Sequence, residues 1–210
     1  MNAGETEYLG EDGSPLVLLL HDRFGRKPWL LDLAAVLERE GFQVAIPDFF
    51  DGWTTDDAGE ARTRLDSVDV AEALEIMDDL IDEARLYGAR RVASVGFSVG
   101  GWLALVHAQG GSVDAVAAYY ASVSDVHHGL IPCPVLLQYA EVDGWDFGGD
   151  PTSFTRRLKE HGTPVTRFDY FGTRHHFANP TSVTSDPQAT ALAHARTAMF
   201  LAAQLEDDAG

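Results

Sequence analysis

Residues 91–101 read Arg91-Val92-Ala93-Ser94-Val95-Gly96-Phe97-Ser98-Val99-Gly100-Gly101, an apolar strand-like run closing on a G-x-S-x-G pattern. The pattern has a mechanical meaning. A strand ends, the chain turns sharply and a helix begins, with the serine at the apex and its hydroxyl exposed. Gly96 and Gly100 leave room for neighbouring backbone to approach closely. The rest of the chain must then supply a base, an acid that orients it, and an oxyanion hole.

Strand-like and helix-like segments alternate around this elbow. Residues 16–20 are a continuous apolar run, as in a strand buried on both faces. Residues 29–40 carry Leu30, Leu33, Ala34 and Leu37 at helical spacing and stop at Gly41. A strand at 44–46 ends at Pro47, and residues 48–66 read mostly as loop with room for a short helical turn. Val70, Leu74, Met77 and Ile81 trace one face of a long helix ending near Gly88. After the elbow a helix runs to about Ala108, and strands are predicted at 113–120, 135–139 and 165–170. Asp150-Pro151 and Asp186-Pro187 each place a capping carboxylate before a proline suited to the first helical position. The first opens a helix to about Gly162. The second opens a closing helix with Leu192, Ala195, Met199 and Ala202 on one side. The alternation predicts an α/β fold, a mostly parallel sheet with helices on both faces and right-handed crossovers. A single domain over residues 1–210 is expected.

Composition narrows the function. The net charge is −18, with 33 Asp and Glu against 15 Lys and Arg, which disfavours nucleic acid and anionic membrane as partners. Hydrated surface carboxylates suit a salt-rich cytoplasm, with a codon bias toward Asp, Ala and Arg as the other reading. No apolar stretch approaches the roughly 18 residues that span a bilayer. The acidic start MNAGETEYLGEDG lacks the marks of a signal peptide, so a cytoplasmic location is expected. Cys133, between Pro132 and Pro134, reads as a small residue at a strand entrance. The histidines show neither H-x-x-x-H nor H-E-x-x-H spacing, so no metal and no cofactor is expected.

A serine hydroxyl needs a neighbouring base, histidine suits neutral pH, and a buried carboxylate holds the imidazole in the useful tautomer. With this elbow the chain order is serine, acid, histidine. Asp143 follows the strand at 135–139, with Glu141 its local competitor. His175 and His176 follow the last strand; His175 is favoured, because Phe177 then packs beneath the loop. His161 and the pair His127-His128 read as surface residues. The backbone N–H groups of Val99 and Arg23 are the candidate oxyanion donors. Asp22 points to the serine or ties down its own loop. Phe24, Phe49, Phe50, Trp53, Trp145 and Phe171 fall in loops expected around the mouth, where Phe24, Trp53 and Trp145 are candidate substrate contacts together with Asp22 and Arg174.

Over residues 14–205 the chain resembles the dienelactone hydrolase family of α/β-hydrolases. The resemblance rests on His21-Asp22-Arg23-Phe24-Gly25, on Gly41-Phe42-Gln43-Val44-Ala45-Ile46-Pro47-Asp48 and on the elbow. It continues through Ala118-Tyr119-Tyr120, Pro134-Val135-Leu136-Leu137, the Asp143 loop and Gly172-Thr173-Arg174-His175-His176-Phe177. The last stretch is similar to the family's G-x-x-H-x-F, which supports His175. The family's type members place cysteine where this chain has Ser98 and glutamate where it has Asp22. Asn179 stands where an arginine that binds the substrate carboxylate would be expected, with Arg62, Arg64 and Arg174 as other anion contacts. The resemblance implies a monomeric or weakly dimeric serine hydrolase acting on a small ester or lactone through Ser98, Asp143 and His175. A thioesterase, a peptidase or a non-catalytic binding protein on the same scaffold are the alternatives.

Overall fold

Three strands laid side by side without a charged residue among them, residues 16–20, 92–97 and 115–119, set the centre of the molecule. The computed structural model describes residues 4–127, 129–144 and 148–205. Seven strands form one sheet: β1 (Gly4–Leu9), β2 (Leu16–Leu20), β3 (Gln43–Asp48), β4 (Val92–Phe97), β5 (Ala115–Tyr119), β6 (Val135–Val142) and β7 (Val165–Arg174). Their spatial order is β1-β3-β2-β4-β5-β6-β7, with β1 antiparallel to β3 and the others parallel. This is the α/β-hydrolase architecture. Every residue of β2, β4 and β5 is buried, as their uninterrupted small and apolar runs require.

The helices cover both faces. On one, α1 (Pro28–Arg39) and α6 (Pro187–Leu205) pack against Val17, Leu19, Val95 and Ala117. On the other, α3 (Val70–Leu86), α4 (Val99–His107) and α5 (Pro151–Glu160) pack against Leu18, Leu20, Val116 and Leu137. The alternating side chains of each strand supply the two cores. The proline-linked caps form as expected: Asp150 accepts from Ser153 N–H at 2.7 Å and Asp186 from Ala189 N–H at 2.9 Å. Cys133 is buried ahead of β6, and burial pushes its thiol up to about 11.

Two expectations are corrected and one is sharpened. The helical turn allowed within residues 48–66 is an eight-residue helix, α2 (Ala58–Leu65), whose cap is Asp57 accepting from Glu60 N–H at 2.8 Å. β6 and β7 run past their apolar stretches, to Val142 and Arg174. The inner face of α6 is Ala193, Thr197, Leu201 and Leu205, while Leu192 and Met199 lie on its exposed side. The sheet beneath α6 explains the last point. Tyr119 Oη, Gln138 and Tyr170 are buried polar groups, and Thr197 Oγ1 meets Tyr119 Oη at 2.7 Å and Gln138 Nε2 at 2.7 Å. Tyr170 donates to Gln138 Oε1, and Gln138 Nε2 also donates to Ala193 O at 3.1 Å. A hydroxyl is needed where spacing alone favoured a hydrocarbon.

Candidate active site

The elbow is built by three glycines. A Cβ on Gly96 would lie 2.2 Å from Gly100 O, and one on Gly101 would lie 2.9 Å from Gly96 O and from Ala121 Cβ. A Cβ on Gly100 would lie 2.4 Å from His21 O and 2.6 Å from Leu20 O. Their absence lets α4 start against the ends of β2 and β4. Ser98 sits at the apex with φ 55° and ψ −115°, a conformation that costs a side-chain-bearing residue about 1–3 kcal/mol. Its N–H is anchored to Tyr119 O at 3.0 Å and its carbonyl accepts from Trp102 N–H at 2.9 Å.

Sheet register brings the partners in. Val142 of β6 pairs with Arg174 of β7, so the next residues, Asp143 and His175, leave the sheet side by side. His175 Nδ1 lies 2.6 Å from Asp143 Oδ1, and His175 Nε2 lies 2.8 Å from Ser98 Oγ. An ionised carboxylate only accepts, which puts the ring proton on Nδ1 and leaves the Nε2 lone pair facing the serine hydroxyl. The Asp143 side chain is 1% exposed and that of His175 is 22% exposed, so the carboxylate is shielded while the imidazole meets the surface. Glu141 instead accepts from Gly172 N–H at 2.6 Å on the exposed edge.

His176 is buried, at φ 65°, with its ring 4.2 Å from that of His175 and 5.0 Å from that of Phe24. Burial holds its pKa below the ordinary histidine value, against the opposing pull of Asp22. Phe177 is fully buried beneath the loop. Asp22 does not reach for the serine as a substrate contact. It is fully buried, Oδ1 accepts from Phe24 N–H at 2.9 Å, Oδ2 accepts from Asn179 Nδ2 at 2.8 Å, and His176 Nδ1 is 3.5 Å away. Burial works to raise the Asp22 pKa, but His176 and these donors outweigh it and hold the carboxyl below its usual range. Asp22 thereby ties the β2–α1 turn to the loop after β7.

That turn carries Arg23, closed by Gly25 N–H donating to Asp22 O at 3.1 Å. Val99 is the first residue of α4, where helical N–H groups lack partners within the helix. The contact of Gly100 with the carbonyls of Leu20 and His21 sets the start of α4 beside this turn. His21 braces it: Nδ1 donates to Asp22 O at 2.7 Å and Nε2 accepts from Phe49 N–H at 3.1 Å.

A cavity of about 300 Å³ opens beside His175, lined among others by Arg23, Phe24, Val142, Arg174, His176 and Val183. Phe24 and Arg174, two of the candidate contacts, thus both line it. Trp53 is not among the lining residues: its ring packs 6.0 Å from that of Phe50, with the Arg64 guanidinium over both. Phe50 is buried, and Phe171 projects into solvent at 84% exposure, so these aromatics do not close a ring around the mouth. Trp145 and His128 lie outside the described residues. His127 is exposed, as expected. Sequence reasoning missed Tyr120, whose ring is 4.8 Å from that of His175. Its place directly after the β5 run, in a Tyr119-Tyr120 pair, is the only signal. Among the described residues no group of three or more His, Cys, Asp or Glu side chains is arranged to hold a metal, and no helix is long and apolar enough to cross a membrane.

The dienelactone hydrolase family model matches residues 7–205. Protein usf of Aquifex pyrophilus is 26% identical over 182 residues, covering 80% of this chain and 78% of that protein. A carboxymethylenebutenolidase of Rhodococcus opacus is 32% identical over 136 residues, covering 61% of this chain and 52% of that protein. A dienelactone hydrolase-like promiscuous phosphotriesterase from metagenomic libraries superposes with a TM-score of 0.81 at 16% identity, over 96% of this chain and 92% of that one, a likeness of fold alone.

Proposed function

Because this chain belongs to the dienelactone hydrolase family, we propose that it is a serine hydrolase of small carboxylic esters or lactones working through an acyl-enzyme on Ser98. The observation that carries the reading is the unbroken chain from Asp143 Oδ1 through His175 to Ser98 Oγ, at 2.6 Å and 2.8 Å. The cavity beside His175 suits a small substrate.

In this reading Ser98 Oγ bonds to the acyl carbon while its proton passes to His175 Nε2, and the carbonyl electron pair moves onto oxygen. The Val99 and Arg23 amides receive that oxyanion, each donor contributing roughly 2.7–4 kcal/mol of transition-state stabilisation. Asp143 holds the imidazolium through Nδ1–H. Collapse of the tetrahedral adduct breaks the C–O bond, and His175 returns the proton to the leaving alkoxide. In a lactone the alcohol so freed stays attached to the acyl group. Water then adds to the acyl carbon, gives its proton to His175, and the second collapse restores Ser98 Oγ–H and releases the acid. Asp22 stays out of this cycle and holds the turn that presents Arg23.

The test is a panel of matched esters, lactones, thioesters and amides run on the wild type and on Ser98→Ala, alongside labelling with an organophosphonate. Turnover of esters or lactones with Ser98-dependent labelling is the expected result. Wild-type turnover in Ser98→Ala would overturn the assignment.

A further inference from the structure

Four non-glycine residues among those described have positive φ: Asp51, Ser98, Tyr120 and His176. Three of them surround one imidazole. Ser98 Oγ is 2.8 Å from His175 Nε2, the Tyr120 ring is 4.8 Å from the His175 ring at 51°, and the His176 ring is 4.2 Å away at 89°. A positive φ is an outlier for a bulky residue, and glycine would adopt it freely. At φ 39° and 65° the chain keeps a tyrosine and a histidine, so the side chain is what the position retains.

The geometry of His175 shows what those rings do. Its two hydrogen bonds, to Asp143 and Ser98, leave from Nδ1 and Nε2. Bonds at these two atoms hold the ring along one line, and tilting about that line is opposed by the Cβ–Cγ attachment and by whatever packs on the ring faces. Rings packed against it restrict that tilt. Tyr120 is itself wedged, 5.7 Å from His176 and 5.6 Å from Phe177, and is 1% exposed. His176 is backed by Phe24 and by the Asp22 carboxylate. Tyr120 Oη finds no hydrogen-bond partner among the described residues, and His176 Nδ1 faces Asp22 Oδ2 at 3.5 Å, away from His175, so toward His175 both residues present a packed ring.

We propose that Tyr120 and His176 are positioning residues that clamp the His175 imidazole between them in the orientation that serves Ser98. The proposal rests on the serine-hydrolase reading above. A reacting group displaced by about 1 Å loses on the order of 100-fold in rate, so removal of the Tyr120 wall acts on kcat, while His176, which also lines the cavity, acts on kcat and adds a change in KM.

The experiment uses Tyr120→Leu, Tyr120→Phe and His176→Asn, the last chosen because asparagine tolerates positive φ. Steady-state kinetics on p-nitrophenyl acetate, the rate of organophosphonate labelling and thermal melting are measured for each, with Ser98→Ala as control. Tyr120→Leu and His176→Asn are expected to lose about 10- to 100-fold in kcat and in labelling rate, with KM within about twofold for Tyr120→Leu. Tyr120→Phe is expected to stay within about threefold of the wild type, since it keeps the ring. Folded Tyr120→Leu and His176→Asn variants with wild-type kcat and labelling rate would overturn the clamp. So would a Tyr120→Phe variant as impaired as Tyr120→Leu, because the hydroxyl would then be the active part. If Tyr120→Leu does not fold, His176→Asn and Tyr120→Phe decide by the same criteria. Failure of the wild type to label at Ser98 would bring down the hydrolase reading itself, a result distinct from labelling that is insensitive to the two rings.

Discussion

Gly100→Ala isolates the link between packing at the elbow and chemistry. The backbone at Gly100 is not in the positive-φ region, so alanine adds no conformational strain there. It adds one methyl group, placed 2.4 Å from His21 O and 2.6 Å from Leu20 O, both main-chain atoms of fully buried residues. Cβ contacts below 3.0 Å are essentially unseen, so α4 and the end of β2 must part by at least about 0.6 Å. That movement separates Val99 from the Arg23 turn. Overpacking of this kind costs about 1–3 kcal/mol of stability, and disabling one oxyanion donor lowers kcat by roughly 100- to 1000-fold. Gly110→Ala is the matched control, because its methyl would meet only Ser112 Oγ at 3.9 Å. Thermal melting and kcat on an activated ester read the two effects separately. A Gly100→Ala protein that is destabilised yet turns over at the wild-type rate would refute the idea that this approach assembles the oxyanion hole.

Other outcomes follow from the same geometry. Asp143→Asn should lower kcat by about 10⁴-fold, because an amide no longer enforces the Nδ1–H tautomer; full turnover would remove Asp143 from the cycle. Burial holds the His194 pKa down to about 4 from 6.5, so the unfolded chain binds the proton first. Its contribution is therefore complete above pH 6.5 and declines as pH falls toward 4, by about 3 kcal/mol at the limit. Urea midpoints followed from pH 7 to pH 4 should fall less steeply in His194→Phe than in the wild type, and equal slopes would contradict it. On α6, lysine at Leu192 or Met199 should change stability by less than about 0.5 kcal/mol. Thr197→Val should cost about 1–3 kcal/mol, by stranding Tyr119 Oη and Gln138. Equal effects on the two faces would restore the apolar side read from spacing.

The parts of this molecule that were legible are those whose signal is local. The apolar runs at β2, β4 and β5, the Asp-Pro caps and the Gly-x-Ser-x-Gly turn each act within a few residues, and the structure has them where the sequence places them. His175 could be told from His176 because Phe177 needed to turn inward, and it is fully buried. What escaped depends on distant partners. Pairing of Val142 with Arg174 extends two strands beyond their hydrocarbon and delivers Asp143 and His175 together, yet nothing near either residue announces it. The inner face of α6 is set by hydroxyl and amide groups on three strands. Asp57 and Glu60 carry a capping signal for α2, but so much of the surrounding stretch is polar that its spacing shows room for no more than a turn. Tyr120 became visible only once its backbone conformation and its neighbour across the sheet edge were both known.

The polar seam under α6 bears on how the loop that carries His175 is held. An alanine-rich helix held by hydrocarbon alone could settle one turn up or down with little penalty, since small side chains look alike from below. Directional bonds to Thr197 and to the Ala193 carbonyl admit one seating only. The segment bearing His175 is strung between β7 and that helix, and Thr184 Oγ1 donates to the His175 carbonyl at 2.5 Å. The imidazole at 175 is therefore seated through α6, and a variant without that helix would keep its elbow while losing the anchor of the loop beside it.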